Sequence, residues 1–173
     1  MVAARRPTPG HRARGHRSRR DARVRVAAGS TLVLSLVLVT NWWVTGRGVQ
    51  DLSGWESGLD SIGRLTGLWS ADLLLAQVLL MARLPILEGA FGQDRLAHIH
   101  RLVGFTSFNL ILCHLVLIAW GYAGGRIAAA PTTLWDMTIH DPGMLLAAAG
   151  TACLVMVVVT SVKSARSRLR YES

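Results

Sequence analysis

Three of the six histidines fall within one apolar stretch, "DRLAHIHRLVGFTSFNLILCHLVLIAW", at residues 94–120. His100 and His114 are fourteen residues apart, which on an α-helix is about 21 Å of rise and about 40° short of four turns. These two imidazoles therefore share one helix face at two depths, whereas His98 lies about 160° from His114 around the axis. Two imidazoles at two depths are what two stacked haems require of one membrane helix.

Two other interpretations fit the same histidines. A histidine inside a membrane span can hydrogen-bond to a neighbouring helix, and His100 followed by Arg101 could form a polar pair at the membrane surface. A proton relay is the third possibility, with Asp72 in the preceding apolar segment as the partner of His114. If those two segments are antiparallel, both side chains lie toward the outer side and contact is possible. Spacing alone leaves all three interpretations open.

The elements that must position these residues are four long apolar segments in a chain that is 51% hydrophobic. Each segment approaches the roughly 20 residues needed to cross the hydrocarbon. We therefore predict an all-α integral membrane protein, an antiparallel bundle of four transmembrane helices at about 27–46, 63–84, 97–121 and 143–163. Basic tails at 1–26, predicted to be disordered, and 164–173 flank them. Glycine and alanine in the last helix predict close packing there, and the loop before it has room for a short turn around "TTLWDM".

The basic residues predict the orientation in the membrane, because Lys and Arg accumulate in cytoplasmic loops. Sixteen of the nineteen lie at one side: nine Arg before residue 27, three at or between the facing ends of the second and third spans, and four from Lys163 onward. Only Arg47, Arg64 and Arg126 lie on the other side. Both termini are therefore expected in the cytoplasm. One Lys among these residues, with abundant Ala and Gly, is typical of a bacterial coding sequence rich in G and C, which predicts a bacterial plasma membrane.

The net charge of +9 raises the question of nucleic acid, but the basic arm "RRPTPGHRARGHRSRRDAR" has no aromatic residue to stack on bases. Its position before a span favours an orientation signal that contacts anionic lipid headgroups, so we expect a lipid bilayer and no nucleic acid as partner. The first span ends in "LVTNWWVTGRG", without a small-x-small cleavage site, and Trp42 and Trp43 would anchor a retained helix. The chain also shows no nucleotide-binding or hydrolase motif.

Several motifs resemble the amino-terminal half of the ferric reductase-like transmembrane domain, the family shared by ferric reductases and NADPH oxidases. They are "GRLTGL", "LMARLPILE", "GQDRLAHIHRLVG" and the fourteen-residue step between the two histidines, within a similarity over about residues 27–170. The resemblance implies a six-helix domain, of which this chain has the first four helices. It also implies two b-type haems, each held by one histidine of the third helix and one of the fifth.

Carried over by position, His100 would ligate the iron of the inner haem and His114 the iron of the outer haem. Arg95 and Arg101 flank the inner position and are candidate contacts of haem propionates, with ordinary membrane-surface arginines as the alternative. In the family, electrons pass from NAD(P)H through FAD and the two haems to ferric iron or dioxygen. The resemblance therefore implies a transmembrane electron-transfer oxidoreductase.

The chain departs from the family pattern after its fourth helix. No histidine follows His140, and the sequence has no FAD- or NAD(P)H-binding domain. The second ligand of each haem and the flavin domain are therefore expected from a second chain or a longer form. The alternatives are a haem-free four-helix scaffold or accessory subunit, and a proton-conducting or transport component that uses Asp72 and His114.

Overall fold

The computed structural model describes residues 10–82 and 84–170, and every regular element within these ranges is helical. The α-helices are α1 Gly10–Thr45, α2 Trp55–Met81, α3 Pro85–Phe91, α4 Gln93–Tyr122, α5 Ala130–His140 and α6 Met144–Arg170. Short 3-10 helices at Gln50–Ser53 and Ile127–Ala129 lie in the connections. The predicted all-α class is therefore confirmed.

Four helices are long and apolar enough to cross a membrane: Arg19–Thr45 of α1, all of α2, all of α4 and Met144–Ser161 of α6. This confirms the four predicted membrane helices. Two of them begin earlier than expected, because α2 starts at Trp55 and α4 at Gln93. The short helix α3 fills the connection between them, with Pro85 at its first position, where the missing N–H breaks no hydrogen bond.

The basic regions at both ends of the described chain are helical. Helix α1 begins at Gly10, so residues 10–26 of the tail predicted to be disordered belong to a helix, and α6 continues to Arg170. Arg and Ala have high helix propensity, and an apolar helix that follows directly provides the nucleus from which turns propagate toward the tail. Residues 1–9 and 171–173, and Arg83 in the connection, lie outside the described residues.

Helices α2 and α4 form the tightest contact in the structure, and small residues make it possible. Ser70 and Ser107 are fully buried, and the Ser70 hydroxyl donates a hydrogen bond to the Ser107 carbonyl at 2.8 Å. Large apolar side chains such as Leu75 and Phe105 are 61% and 71% exposed. Such a distribution suits a bilayer, because small residues let the backbones approach while large ones face lipid.

The helices α1, α2 and α4 are antiparallel to their neighbours. Along α2, Gly63, Gly67 and Gln77 meet residues of progressively lower number on α4. Between α1 and α2, Trp43 Nε1 donates to the Ser61 carbonyl and Ser35 Oγ donates to Asp72, both at 2.9 Å. These contacts confirm the predicted antiparallel arrangement for the three helices that surround the site.

The fourth membrane helix packs differently from the prediction. Helix α6 contacts mainly α5, and a Cβ built on Gly150 would meet no atom within 4 Å. The close packing that glycine and alanine predicted for this helix occurs between α2 and α4 instead. Helix α5 replaces the short turn expected around "TTLWDM" and forms the bridge between α4 and α6.

Polar and aromatic contacts tie the connections to the end of α2 and α4 that lies beyond His114. The Arg64 guanidinium pairs with Asp51 at 2.5 Å and with Asp60 at 3.2 Å. The rings of Trp55 and Trp120 pack edge to face with centroids 5.7 Å apart. The ion pairs fix the connection to the first turns of α2, and the tryptophan pair holds those turns against the last turn of α4, beyond His114.

Candidate functional site

Helix α4 directs His100 and His114 toward α2, and both side chains are half-buried. On a regular helix, Gly104, Ser107 and Ile111 lie within about 40° of His100 around the axis, so they complete this face. The face from His100 to His114 is called the histidine face below. The structure thus brings the two predicted ligands onto one side of one helix, as their spacing predicts.

The imidazole of His114 is oriented by a backbone carbonyl of α2. Its Nδ1 lies 2.8 Å from the carbonyl oxygen of Gly63. Because a carbonyl oxygen only accepts, Nδ1 carries the proton in this hydrogen bond. Histidines that ligate metals usually donate their other N–H in this way, which fixes the tautomer and the ring orientation. The hydrogen bond to Gly63 therefore orients the imidazole of His114 with Nε2 on the far side of the ring.

Gly67, one turn after Gly63, leaves the space that the imidazole of His114 occupies. A Cβ built on Gly67 would lie 2.6 Å from Nδ1 of His114, closer than real Cβ contacts. A Cβ on Gly63 would lie 2.9 Å from the end of the Ile118 side chain. Both glycines of the "GRLTGL" motif therefore allow α4 to approach, and Gly67 in particular accommodates the ring of His114.

His100 is less completely satisfied than His114. Its Nε2 lies 3.4 Å from Nε2 of Gln77, near the upper limit for a hydrogen bond. Within the described part of the chain, its Nδ1 is buried and has no hydrogen-bond partner. A buried nitrogen without a partner costs about 1–3 kcal/mol of stability. The nitrogen nearer to Gln77 would be available to a metal only if the Gln77 side chain moved aside.

The other candidate residues near the start of α4 do not share the histidine face. Helix geometry places Arg101 about 100° and Arg95 about 140° from His100, and His98 about 160° from it. All three side chains are exposed. The structure therefore presents Arg95 and Arg101 as surface cations near the His100 end of α4, and their contact with a propionate remains a prediction.

Asp72 faces a different helix from His114. Its carboxylate accepts a hydrogen bond from Ser35 of α1 and lines a cavity of about 450 Å³ between α1, α2, α3 and α4. From Gly67, which contacts His114, Asp72 is about 7.5 Å further along α2 and about 140° around its axis. The structure therefore does not bring Asp72 and His114 together, although the sequence allowed contact between them.

A bare metal ion and a haem would each need different ligands from the protein. Among the side chains that the structure describes, which lie within residues 19–82 and 84–163, no three His, Cys, Asp or Glu form a group that could hold a metal ion. A haem would need fewer ligands from the protein than a bare metal ion, because the porphyrin itself supplies four nitrogens. The hydrogen bond that orients His114 and the long, weak contact of Nε2 of His100 with Gln77 are consistent with that requirement.

Three residues of this site were missed by the sequence-based predictions: Gly63, Gly67 and Gln77. The two glycines are four positions apart in the sequence, with three residues between them, which is the spacing at which small residues line one face of a membrane helix. That spacing could have identified the surface of α2 that packs on α4. Nothing in the sequence distinguishes Gln77 from other polar residues of a span, because its role depends on which helix it meets.

Comparison with known proteins agrees with the motifs. A protein-family model described as "Ferric reductase like transmembrane component" matches residues 66–173, more than half of the chain. The match begins inside α2, later than the similarity expected from about residue 27, and it includes both histidines and Gln77. No curated protein and no solved structure matches the chain. The chain belongs to the family of ferric reductase like transmembrane components.

Proposed function

We propose that this chain is the haem-binding part of a transmembrane electron-transfer oxidoreductase. His100 would ligate the inner of two b-type haems and His114 the outer one, and a second chain or a longer form would supply the other ligand of each. Family membership supports a membrane oxidoreductase component. The residue assignment rests on the orientation of His114 by Gly63 and on its common face with His100.

Haem held by His100 and His114 would supply transfer of single electrons, and a second imidazole on each would favour electron transfer over binding of dioxygen. The chain would contribute position and environment to this chemistry. The Gly63 carbonyl holds Nδ1–H of His114 so that Nε2 faces away from that hydrogen bond. About 21 Å of helix rise separates the two histidines, so one rigid element sets both depths. Apolar helices around them keep bulk water away.

The direction of electron flow follows from the predicted orientation. The basic residues favour the His100 end of α4 on the cytoplasmic side of a bacterial plasma membrane. A flavin and NAD(P)H domain on a partner would then deliver electrons at this end, and ferric iron or dioxygen would accept them beyond the His114 end. Arg95 and Arg101 would lie where haem propionates meet the headgroups, and their positive charge would favour that position.

A reduced-minus-oxidised absorption spectrum tests the proposal. The chain is purified from membranes alone and after co-expression with a chain that supplies the remaining helices. We expect a b-type α band that is lost in part in His100→Ala and in His114→Ala, and lost almost completely in the double variant. His98→Ala is the matched control, because this histidine lies on the same helix but off the histidine face, and its spectrum should equal that of the parent.

The absence of a haem band under both conditions would contradict the proposal. That result would favour the haem-free scaffold or accessory subunit, for which His100 and His114 should be replaceable without loss of assembly. A transport or proton-conducting role would instead require a response to Asp72→Asn. The separate hydrogen-bond partners of Asp72 and His114 speak against a direct relay between these two residues.

A further inference from the structure

The side of α4 opposite the histidine face is apolar, exposed and interrupted by one amide. Leu102, Phe105 and Val116 are 61%, 71% and 55% exposed, and Leu112 is 38% exposed. Asn109 lies among them, about 180° from His100 around the helix axis, and is also exposed. We call these five residues the asparagine stripe. It runs along the middle of the longest apolar helix of the chain.

An amide such as that of Asn109 is energetically unfavourable on the lipid-facing side of a membrane helix. Among the described residues its side chain makes one hydrogen bond, from Nδ2 to the carbonyl of Phe105 at 2.7 Å. Its Oδ1 and second N–H then face hydrocarbon, because Asn109 is close to the middle of α4. Lipid tails offer neither donors nor acceptors, so a polar group at this depth is usually turned toward another protein segment. Lipid alone therefore does not explain this side chain.

The spacing of the stripe is that of a helix pair. Its residues are separated alternately by three and four positions, so they occupy the a and d positions of a heptad repeat. Leu102, Asn109 and Val116 are at a, and Phe105 and Leu112 are at d. In parallel two-stranded coiled coils, a single asparagine at an a position specifies register and the number of strands.

A second copy of this chain is the partner that matches an asparagine here. Copies in one membrane share one orientation, so a two-fold axis along the membrane normal brings each residue opposite itself at the same depth. An amide is both donor and acceptor, so two Asn109 side chains can satisfy each other reciprocally. A lone Asp or Lys at this depth could not pair with its own copy in this way.

We propose that α4 forms a parallel, two-fold symmetric interface with α4 of a second copy through the asparagine stripe. The interface is on the opposite side of the helix from His100 and His114. It does not depend on haem binding, so the two proposals can fail separately. Replacement of Asn109 by Leu is expected to weaken self-association by roughly 3- to 20-fold, the range measured for single hydrogen bonds between membrane helices.

Disulfide trapping in native membranes tests this interface. In a background with Cys113→Ser and Cys153→Ser, Leu112→Cys places one thiol at a d position of the stripe. Mild oxidation should convert it to a covalent dimer of this chain, identified by mass. Val157→Cys on α6 is the matched control, since this residue is also an exposed apolar position of a membrane helix, and it should give only background dimer.

The contribution of the amide is measured in the same assay. Adding Asn109→Leu to Leu112→Cys should lower the cross-linked fraction, and Asn109→Gln should restore part of it because glutamine keeps a donor and an acceptor. Equal cross-linking of Leu112→Cys and Val157→Cys would overturn the proposal, as would an unchanged dimer fraction with Asn109→Leu. Cross-linking to a different chain would also overturn it and would assign the stripe to another subunit.

Discussion

At the scale of single residues, the two histidines of α4 differ in the hydrogen bonds that they make with α2. His114 donates to the Gly63 carbonyl in the space left by Gly67, whereas His100 has a long contact with Gln77 and a buried nitrogen without a partner in the described structure. The hydrogen bond to Gly63 holds the His114 imidazole in one orientation, whereas the long contact with Gln77 holds the His100 imidazole less firmly. The two positions should therefore respond differently to substitution.

Gly67→Ala should destabilise the chain and displace the ring of His114. The new Cβ would lie 2.6 Å from Nδ1, so either the imidazole or the α2–α4 contact must shift. Overpacking of this kind costs about 1–3 kcal/mol in the free energy of unfolding. Thermal unfolding in detergent, followed by circular dichroism, measures the change.

Gly150→Ala provides the control for Gly67→Ala, because a Cβ there meets no atom within 4 Å. This variant should gain up to about 1 kcal/mol from helix propensity. A Gly67→Ala protein as stable as Gly150→Ala would show that the two helices are not in the close contact described.

Gln77→Leu should act on the haem-free chain more than on a haem-bound one. Without ligand, the substitution removes the amide contact of His100 and leaves both ring nitrogens unsatisfied, at a cost of about 1 kcal/mol. With an iron bound to Nε2, that contact would already be absent. Unfolding midpoints of both forms test this, and an equal decrease in the two would show that Gln77 does not interact with the ligating nitrogen.

At the scale of elements, α2 has two faces of small or polar residues, and each face contacts a different helix. Gly63, Gly67 and Ser70 meet α4, whereas Asp72 meets Ser35 of α1 beside the cavity. Each face can hold its own helix because successive turns of α2 place small or polar residues on both sides. The second span is therefore the element that ties the first and third spans together.

Asp72→Asn and His114→Ala should affect stability independently. Groups without shared partners usually have additive effects within about 0.3–0.5 kcal/mol, whereas residues in one network deviate by about 0.5–3 kcal/mol. A double-mutant cycle on the free energy of unfolding measures the coupling. Strong coupling would place the two side chains in one network and would revive the relay interpretation.

At the scale of the whole molecule, charged and apolar side chains occupy different parts of the chain. The basic residues concentrate at the ends of helices, and the arginines that remain at the opposite end include Arg64, which is paired with Asp51 and Asp60. Apolar side chains cover the outer surface of the helices, as a lipid environment requires. Orientation in the membrane should therefore follow the basic tails.

Reporter fusions measure that orientation. Alkaline phosphatase inserted after Arg126, between α4 and α5, should be active, because the enzyme folds only outside the cytoplasm. A fluorescent protein fused after Ser173 should fluoresce, because the carboxyl terminus is expected inside. The reverse pattern would invert the proposed entry point of electrons, so His114 would be the ligand nearer to the cytoplasm.

The sequence was sufficient for the membrane class, the number of spans, the common face of His100 and His114, and the family. These properties depend on local order, that is, on how long an apolar segment is and how residues repeat around one helix. The bounds of α1 were harder to predict, because helix propagation into the basic region depends on the adjacent apolar segment rather than on composition.

Only the tertiary structure decided which helices meet and therefore what each polar residue touches. Small residues predicted close packing for the last span, yet the close contact is between α2 and α4. The roles of Gly63, Gly67 and Gln77, and the separation of Asp72 from His114, follow from that pairing. Helix periodicity determines which residues share a face. Which helix packs on that face depends on how well all the faces of all the helices fit one another.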